Sequence, residues 1–107
     1  MALDRLKKFE DYIDFISVVL LCSPNRFIYR DYLEEEDQLN LERSFKLLYD
    51  KFSLVEARIR NPSVLPEIRA LLDASLAGYH AGNEMTGAHR IQEFRNLILK
   101  NARRGRN

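Results

Sequence analysis

Three of the chain's four glycines fall within ten residues, in the segment Ala77-Gly78-Tyr79-His80-Ala81-Gly82-Asn83-Glu84-Met85-Thr86-Gly87-Ala88-His89-Arg90-Ile91-Gln92-Glu93-Phe94. Strongly helical runs lie on either side. A residue without a Cβ lets two backbones approach, and a Gly-Asn pair suits the end of one helix followed at once by the start of another. The stretch Pro66 to Leu99 therefore reads as two helices folded tightly back on each other, with the remaining chain packed around them.

Apolar spacing supplies that remainder. Leu3, Leu6, Phe9, Ile13, Ile16 and Leu20 recur three and four apart, which is one face of an amphipathic helix over 3–21. Tyr12, Phe15 and Val19 widen that face, so the helix should be contacted on two sides. Ser23-Pro24-Asn25 stops it, since the residue before a proline avoids helical geometry. The aromatic segment Phe27 to Leu33 reads either as a short helix or as an irregular stretch. From about Glu35 to Arg60, Leu41, Phe45, Leu48, Phe52, Val55 and Ile59 repeat at four and three, which predicts one long helix closed by Asn61-Pro62. Ile68, Leu71, Leu72, Leu76 and Tyr79 define a third helix from Ser63 or Pro66, and Met85, Ala88, Ile91, Phe94 and Leu97-Ile98 a fourth from about Glu84 to Ala102. No strand alternation or internal repeat interrupts this. The expected fold is all-α: a single antiparallel bundle of four main helices over 1–100, with a short fifth element near 25–32 as an option and a flexible basic tail at 101–107.

At 107 residues, 46% of them hydrophobic and 31% charged, the chain has the size and balance of one folded domain. The run Phe15 to Cys22 is much shorter than the roughly 20 apolar residues a membrane span needs, and no signal-peptide cleavage pattern follows it. A lone cysteine, Cys22, cannot form an internal disulfide and suits a reducing compartment, so a cytoplasmic protein is expected. Cys22 ends an apolar run and reads as a small buried hydrophobe.

Candidate chemistry is sparse. His80 and Glu84, and again His89 and Glu93, stand four apart, within reach on a continuous helix. The order and spacing of di-iron bundle motifs are missing, and a helix break near Gly82 would separate the first pair, so neither metal nor cofactor is expected. No nucleophile-elbow, phosphate-loop, His-Glu-x-x-His or Cys-x-x-Cys motif occurs, and the reading is of a non-enzyme. The formal charge of +1 hides an asymmetry: four of the 17 basic residues (Lys100, Arg103, Arg104, Arg106) stand in the last eight positions, which leaves 13 basic against 16 acidic residues over 1–99. That tail admits a nucleic-acid-binding regulator as an alternative, although the acidic body argues against it. The 41–59 seam admits a second alternative, a helical adaptor or homodimer.

The most informative charge is acidic. Asp31, Glu34, Glu35, Glu36 and Asp37 place five carboxylates in seven residues, interleaved with Tyr32 and preceded by Tyr29. Five like charges repel one another. Either the positive end of a following helix offsets that cost, or a basic partner does, with tyrosine anchors ringed by complementary charge.

The segments Leu71-Leu72-Asp73-Ala74-Ser75-Leu76-Ala77-Gly78-Tyr79-His80-Ala81-Gly82 and Gly87-Ala88-His89-Arg90-Ile91-Gln92-Glu93-Phe94 resemble small all-helical bacterial immunity proteins. These are the cognate inhibitors of contact-dependent and type VI interbacterial toxins. The resemblance implies a cytosolic, non-enzymatic protein that blocks one toxin domain. Tyr29, Asp31, Tyr32, Glu34, Glu35, Glu36 and Asp37 are the expected contact residues. The basic tail departs from a uniformly acidic inhibitor, which counts against a nuclease as the target.

Overall fold

The computed structural model describes residues 6–23 and 39–103. Among the described residues five helices follow one another: α1 (Phe9–Cys22), α2 (Leu41–Asp50), α3 (Ser53–Arg58), α4 (Leu65–His80) and α5 (Glu84–Asn101), with a 3-10 turn at Pro62–Val64 leading into α4. The described residues carry no strand, and the fold is the small all-α bundle that the apolar spacing predicts. The optional short element near 25–32 lies outside the described residues.

The α4–α5 hairpin is the most extensive helix pair. Its corner combines two capping devices. The Asn83 N–H donates to the Gly78 carbonyl (2.8 Å) and the Gly82 N–H to the Tyr79 carbonyl (3.1 Å), which satisfies the last carbonyls of α4. Gly82 provides the left-handed residue this closure needs, at φ 80°. Asn83 then turns donor to acceptor: its side-chain oxygen receives the Thr86 N–H (3.1 Å) and starts α5. Beyond the corner the helices run antiparallel and nearly touch. A Cβ on Gly78 would stand 2.9 Å from the Gly87 nitrogen, and one on Gly87 would stand 2.7 Å from the Tyr79 ring. The buried Ser75 hydroxyl joins the two helices by donating to the Gly87 carbonyl (2.7 Å).

α1 lies against α5, α3 and α2, as its wide apolar face predicts. Phe9, Tyr12, Ile13, Phe15, Ile16 and Val19 are all buried, and Leu20 is half-buried. The helix begins at Phe9 rather than near residue 3, because the Asp11 carboxylate folds back to accept the Lys7 and Lys8 N–H groups (3.2 and 3.1 Å) and caps the first turn. The other half of the core comes from Phe45, Leu48, Phe52, Val55 and Ile59, joined by Ile68, Leu72, Ile91, Phe94 and Ile98. Each such side chain contributes about 1.5–3 kcal/mol by leaving water.

One long helix over 35–60 is not what forms. Asn40, in extended geometry, caps α2 by accepting the Arg43 N–H (2.8 Å), so α2 starts at Leu41. It ends after Asp50, where the Phe52 N–H donates to Tyr49 instead of reaching back to Leu48. The Leu48 carbonyl is taken by the fully buried Tyr12 hydroxyl (2.6 Å). The seam stays buried across this break, so α2 and α3 both keep their apolar faces on the core. Of the 41–59 seam, Phe45, Leu48, Phe52, Val55 and Ile59 are buried within the chain itself, and Leu41 at its start is half-buried.

The end of α5 also differs from a frayed tail. The Arg60 N–H donates to the Asn101 carbonyl (3.0 Å) and the Arg103 N–H to the Arg58 carbonyl (2.8 Å), making an antiparallel bridge at Ile59 and Ala102. The Arg103 guanidinium adds a bond to the Ala57 carbonyl (3.0 Å). Positions 101–103 are held against α3, and residues 104–107 lie outside the described residues.

Candidate interaction surface

The residues proposed from sequence for partner contact, Tyr29, Asp31, Tyr32, Glu34, Glu35, Glu36 and Asp37, lie outside the described residues. The structure gives the two ends from which their segment is strung. At the first, α1 closes on Ser23, which is buried and donates its N–H to the Val19 carbonyl (2.9 Å). The outward face of the last α1 turns carries Val18 (37% exposed) and Leu21 (72% exposed). A groove of about 310 Å³ lined by Leu6, Asp11, Asp14, Phe15 and Val18 runs beside them. This face is an aliphatic strip edged by carboxylates.

At the second end, Asn40 sets the start of α2. Only Glu42 among the acidic residues stands in that first turn. The carboxylates of 31–37 stand before Asn40 in the sequence and lie outside the described residues. Glu42 itself bonds the His80 Nε2 (2.5 Å), which ties the beginning of α2 to the last turn of α4. His80 is therefore not matched with Glu84, which starts the next helix beyond the Gly82 turn. The second histidine pair is also not formed as spaced, because the Glu93 carboxylate accepts from Arg90 (2.5 Å) while His89 is exposed. Among the described residues no group of three or more His, Cys, Asp or Glu could hold a metal ion.

A polar cluster joins α2 and α4. The Tyr49 hydroxyl donates to the Asp73 carboxylate. The Arg69 guanidinium lies 5.1 Å from the Tyr49 ring centre and 5.3 Å from that of Phe52. Burial, followed by the hydrogen bond and negative charge of Asp73, raises the Tyr49 hydroxyl well above its ordinary range, and Arg69 opposes the shift. Arg69 and Asp73 are four apart on one helix, a spacing that could have signalled a pair, but Tyr49 comes from another element. Near the other end of the bundle, Arg58 lies over the Phe9 ring (4.4 Å) and donates to the Glu10 carboxylate (3.1 Å). A bond from its own backbone N–H and this guanidinium lower the Glu10 carboxyl. Both clusters tie surface helices together across the sequence.

No helix of the described residues is long and apolar enough to cross a membrane. Comparison with known proteins returns no matching family model, no matching curated protein and no matching solved structure.

Proposed function

We propose that this chain is a cytoplasmic, non-enzymatic immunity protein that binds and neutralises a cognate bacterial toxin domain. The observation that carries the reading is the position of Asn40. With α2 capped there, its first turn carries Glu42 alone among the acidic residues, while the five carboxylates at Asp31, Glu34, Glu35, Glu36 and Asp37 stand before it in the sequence, a concentration of like charge that suits a basic partner. Tyr29 and Tyr32 provide aromatic anchors in the same segment, and the aliphatic strip of Val18 and Leu21 leads into it. The basic tail keeps a nucleic-acid reading as the alternative, although Arg103, one of its four cations, is fixed in place by a hydrogen bond to the Ala57 carbonyl.

Co-expression with the product of the neighbouring gene is the first test, with rescue from toxicity and recovery of a stoichiometric complex as the expected result. The second is the triple charge reversal Glu34→Lys, Glu35→Lys, Glu36→Lys. It should slow association by at least about tenfold at low ionic strength and flatten the salt dependence. Unchanged association kinetics would remove this segment from the interface. Nucleic-acid binding that disappears on deleting residues 100–107 would favour the alternative.

A further inference from the structure

The antiparallel bridge of Ile59 with Ala102 gathers cations that the sequence keeps apart. Side chains alternate along such a bridge, and Ile59 is buried, so Arg58, Arg60 and Arg103 leave on the opposite side. Arg58 crosses to α1, over the Phe9 ring and onto the Glu10 carboxylate, which brings the exposed Lys7 and Lys8 to the same end of the molecule. The Glu10 carboxyl is lowered by its own backbone N–H, then by Arg58, and more weakly by Lys8. Lys100 stands two residues before Ala102. Six cations from three parts of the chain (Lys7, Lys8, Arg58, Arg60, Lys100, Arg103) thus share one end. Carboxylates stand among them: Glu10 is taken by Arg58, Asp11 accepts the Lys7 and Lys8 N–H groups, Glu67 lines one groove with Lys100, and Glu56 lies on α3. Among the described residues, Lys7, Lys8, Arg60 and Arg103 are exposed and ion-paired with no carboxylate. Lys46 and Arg90, elsewhere on the surface, are paired with Asp50 and Glu93.

We propose that this folded end binds the phosphate backbone of a nucleic acid, with Arg60 and Arg103 as guanidinium forks and Lys7 and Lys8 as flanking charge. The bridge locks the Arg60 and Arg103 backbones through bonds of 3.0 and 2.8 Å, so the forks are held on a fixed frame to meet phosphate oxygens. From Arg103 the sequence continues as Arg104-Gly105-Arg106, which adds cations and no carboxylate side chain. A protein partner would call for an apolar or aromatic anchor at the centre of the contact. The exposed large apolar side chains of the described residues, Val18, Leu21, Met85 and Leu99, all lie outside 7–8, 58–60 and 100–103. Asn61 and Asn101, the amide side chains of this end, are bonded to Ser63 and to the Leu97 carbonyl, which leaves neither to read base edges. Binding is therefore independent of base sequence. The candidate contact segment continues from Ser23, at the other end of α1 and about 20 Å along a helix of 14 residues, so the inference does not rest on the toxin reading.

Fluorescence anisotropy of the full chain with a labelled DNA duplex of about 20 base pairs, over about 20 to about 200 mM salt, tests this. The logarithm of the affinity should fall against the logarithm of salt with a slope of about −4 to −5, and a duplex of unrelated sequence should bind equally. Lys7→Gln, Lys8→Gln and Arg60→Gln, all at exposed positions, should each make that slope shallower by about one with circular dichroism unchanged. Lys46→Gln and Arg90→Gln should leave it as it is. A chain ending at Arg103 should still bind, and Arg60→Gln should still weaken it. Absence of binding at the lowest salt overturns the proposal. So does a slope indifferent to Lys7, Lys8 and Arg60, as when Arg104 and Arg106 act alone, and so does poly-glutamate held as tightly as the duplex.

Discussion

The ring of Tyr79 lies flat against Gly87, across the corner where α4 turns into α5, and leaves no room for a side chain there. Gly87 is needed for that space, Gly78 for the close approach of the Gly87 nitrogen, and Gly82 for its backbone angle. Gly87→Ala would press a methyl group to 2.7 Å from three ring atoms. Overpacking of this kind costs about 1–3 kcal/mol, more than the gain of up to about 1 kcal/mol from improved helix propensity. A Cβ on Gly82 would meet nothing within 4 Å, but the φ there is 80°. Gly82→Ala should therefore lose about 1–2 kcal/mol through backbone strain alone. Urea denaturation separates the two causes: Gly82→Asn should recover much of the loss, since asparagine tolerates that geometry, whereas Gly87→Asn should be worse than Gly87→Ala.

Tyr12 holds the break between α2 and α3. Tyr12→Phe leaves the Leu48 carbonyl buried without its donor, at a cost of about 1–3 kcal/mol. The packing of the ring against Phe94, at 6.4 Å between centres, is retained in the variant. The denaturation midpoint should fall while far-UV circular dichroism stays as in the parent.

Alkaline pH should destabilise the fold through two tyrosines. Burial raises the Tyr12 hydroxyl, and burial with Asp73 raises that of Tyr49, both beyond the ordinary tyrosine range. In the unfolded chain both ionise near pH 10. Their contribution is complete below about pH 10 and is lost as pH rises further, because the unfolded state then sheds protons that the native state keeps. Tyrosinate absorbance should show two hydroxyls titrating late, released together with loss of helical signal. Titration of Tyr12 in the normal range with helicity intact would contradict its buried bond.

The residues after α5 contribute to stability. A chain ending at Lys100 loses the bonds of Asn101 and Arg103 to Arg60, Arg58 and Ala57, and should be about 1–3 kcal/mol less stable than one ending at Arg103. Equal denaturation midpoints for the two truncations would mean that the Ile59–Ala102 bridge adds nothing.

Much of the architecture was legible residue by residue. The α4–α5 corner could be read from Gly82-Asn83, and most of the core faces of α1, α4 and α5 from apolar spacing, because caps and periodicity are local properties; Met85, placed by that spacing on the inner face of α5, is instead 76% exposed, since the first turn of α5 stands at the open corner. Asn40, Asn61 and Asn83 each accept the N–H of a residue two or three positions on, and each starts a helical element. Of the candidate contact segment, the sequence shows charge and aromatic content, and the structure adds where α1 ends and α2 begins.

The chain order alone determined that the protein is helical, where its glycines must stand, and that one segment is densely acidic. Tertiary structure decided that α2 stops at Asp50, since no glycine or proline marks the place and the group that takes the Leu48 carbonyl comes from α1. It also decided that Glu42 meets His80, that Tyr49 meets Asp73, and that Arg103 returns to α3. The physical reason is the same in each case: a hydrogen bond between distant segments depends on how whole helices pack, and no local spacing encodes it.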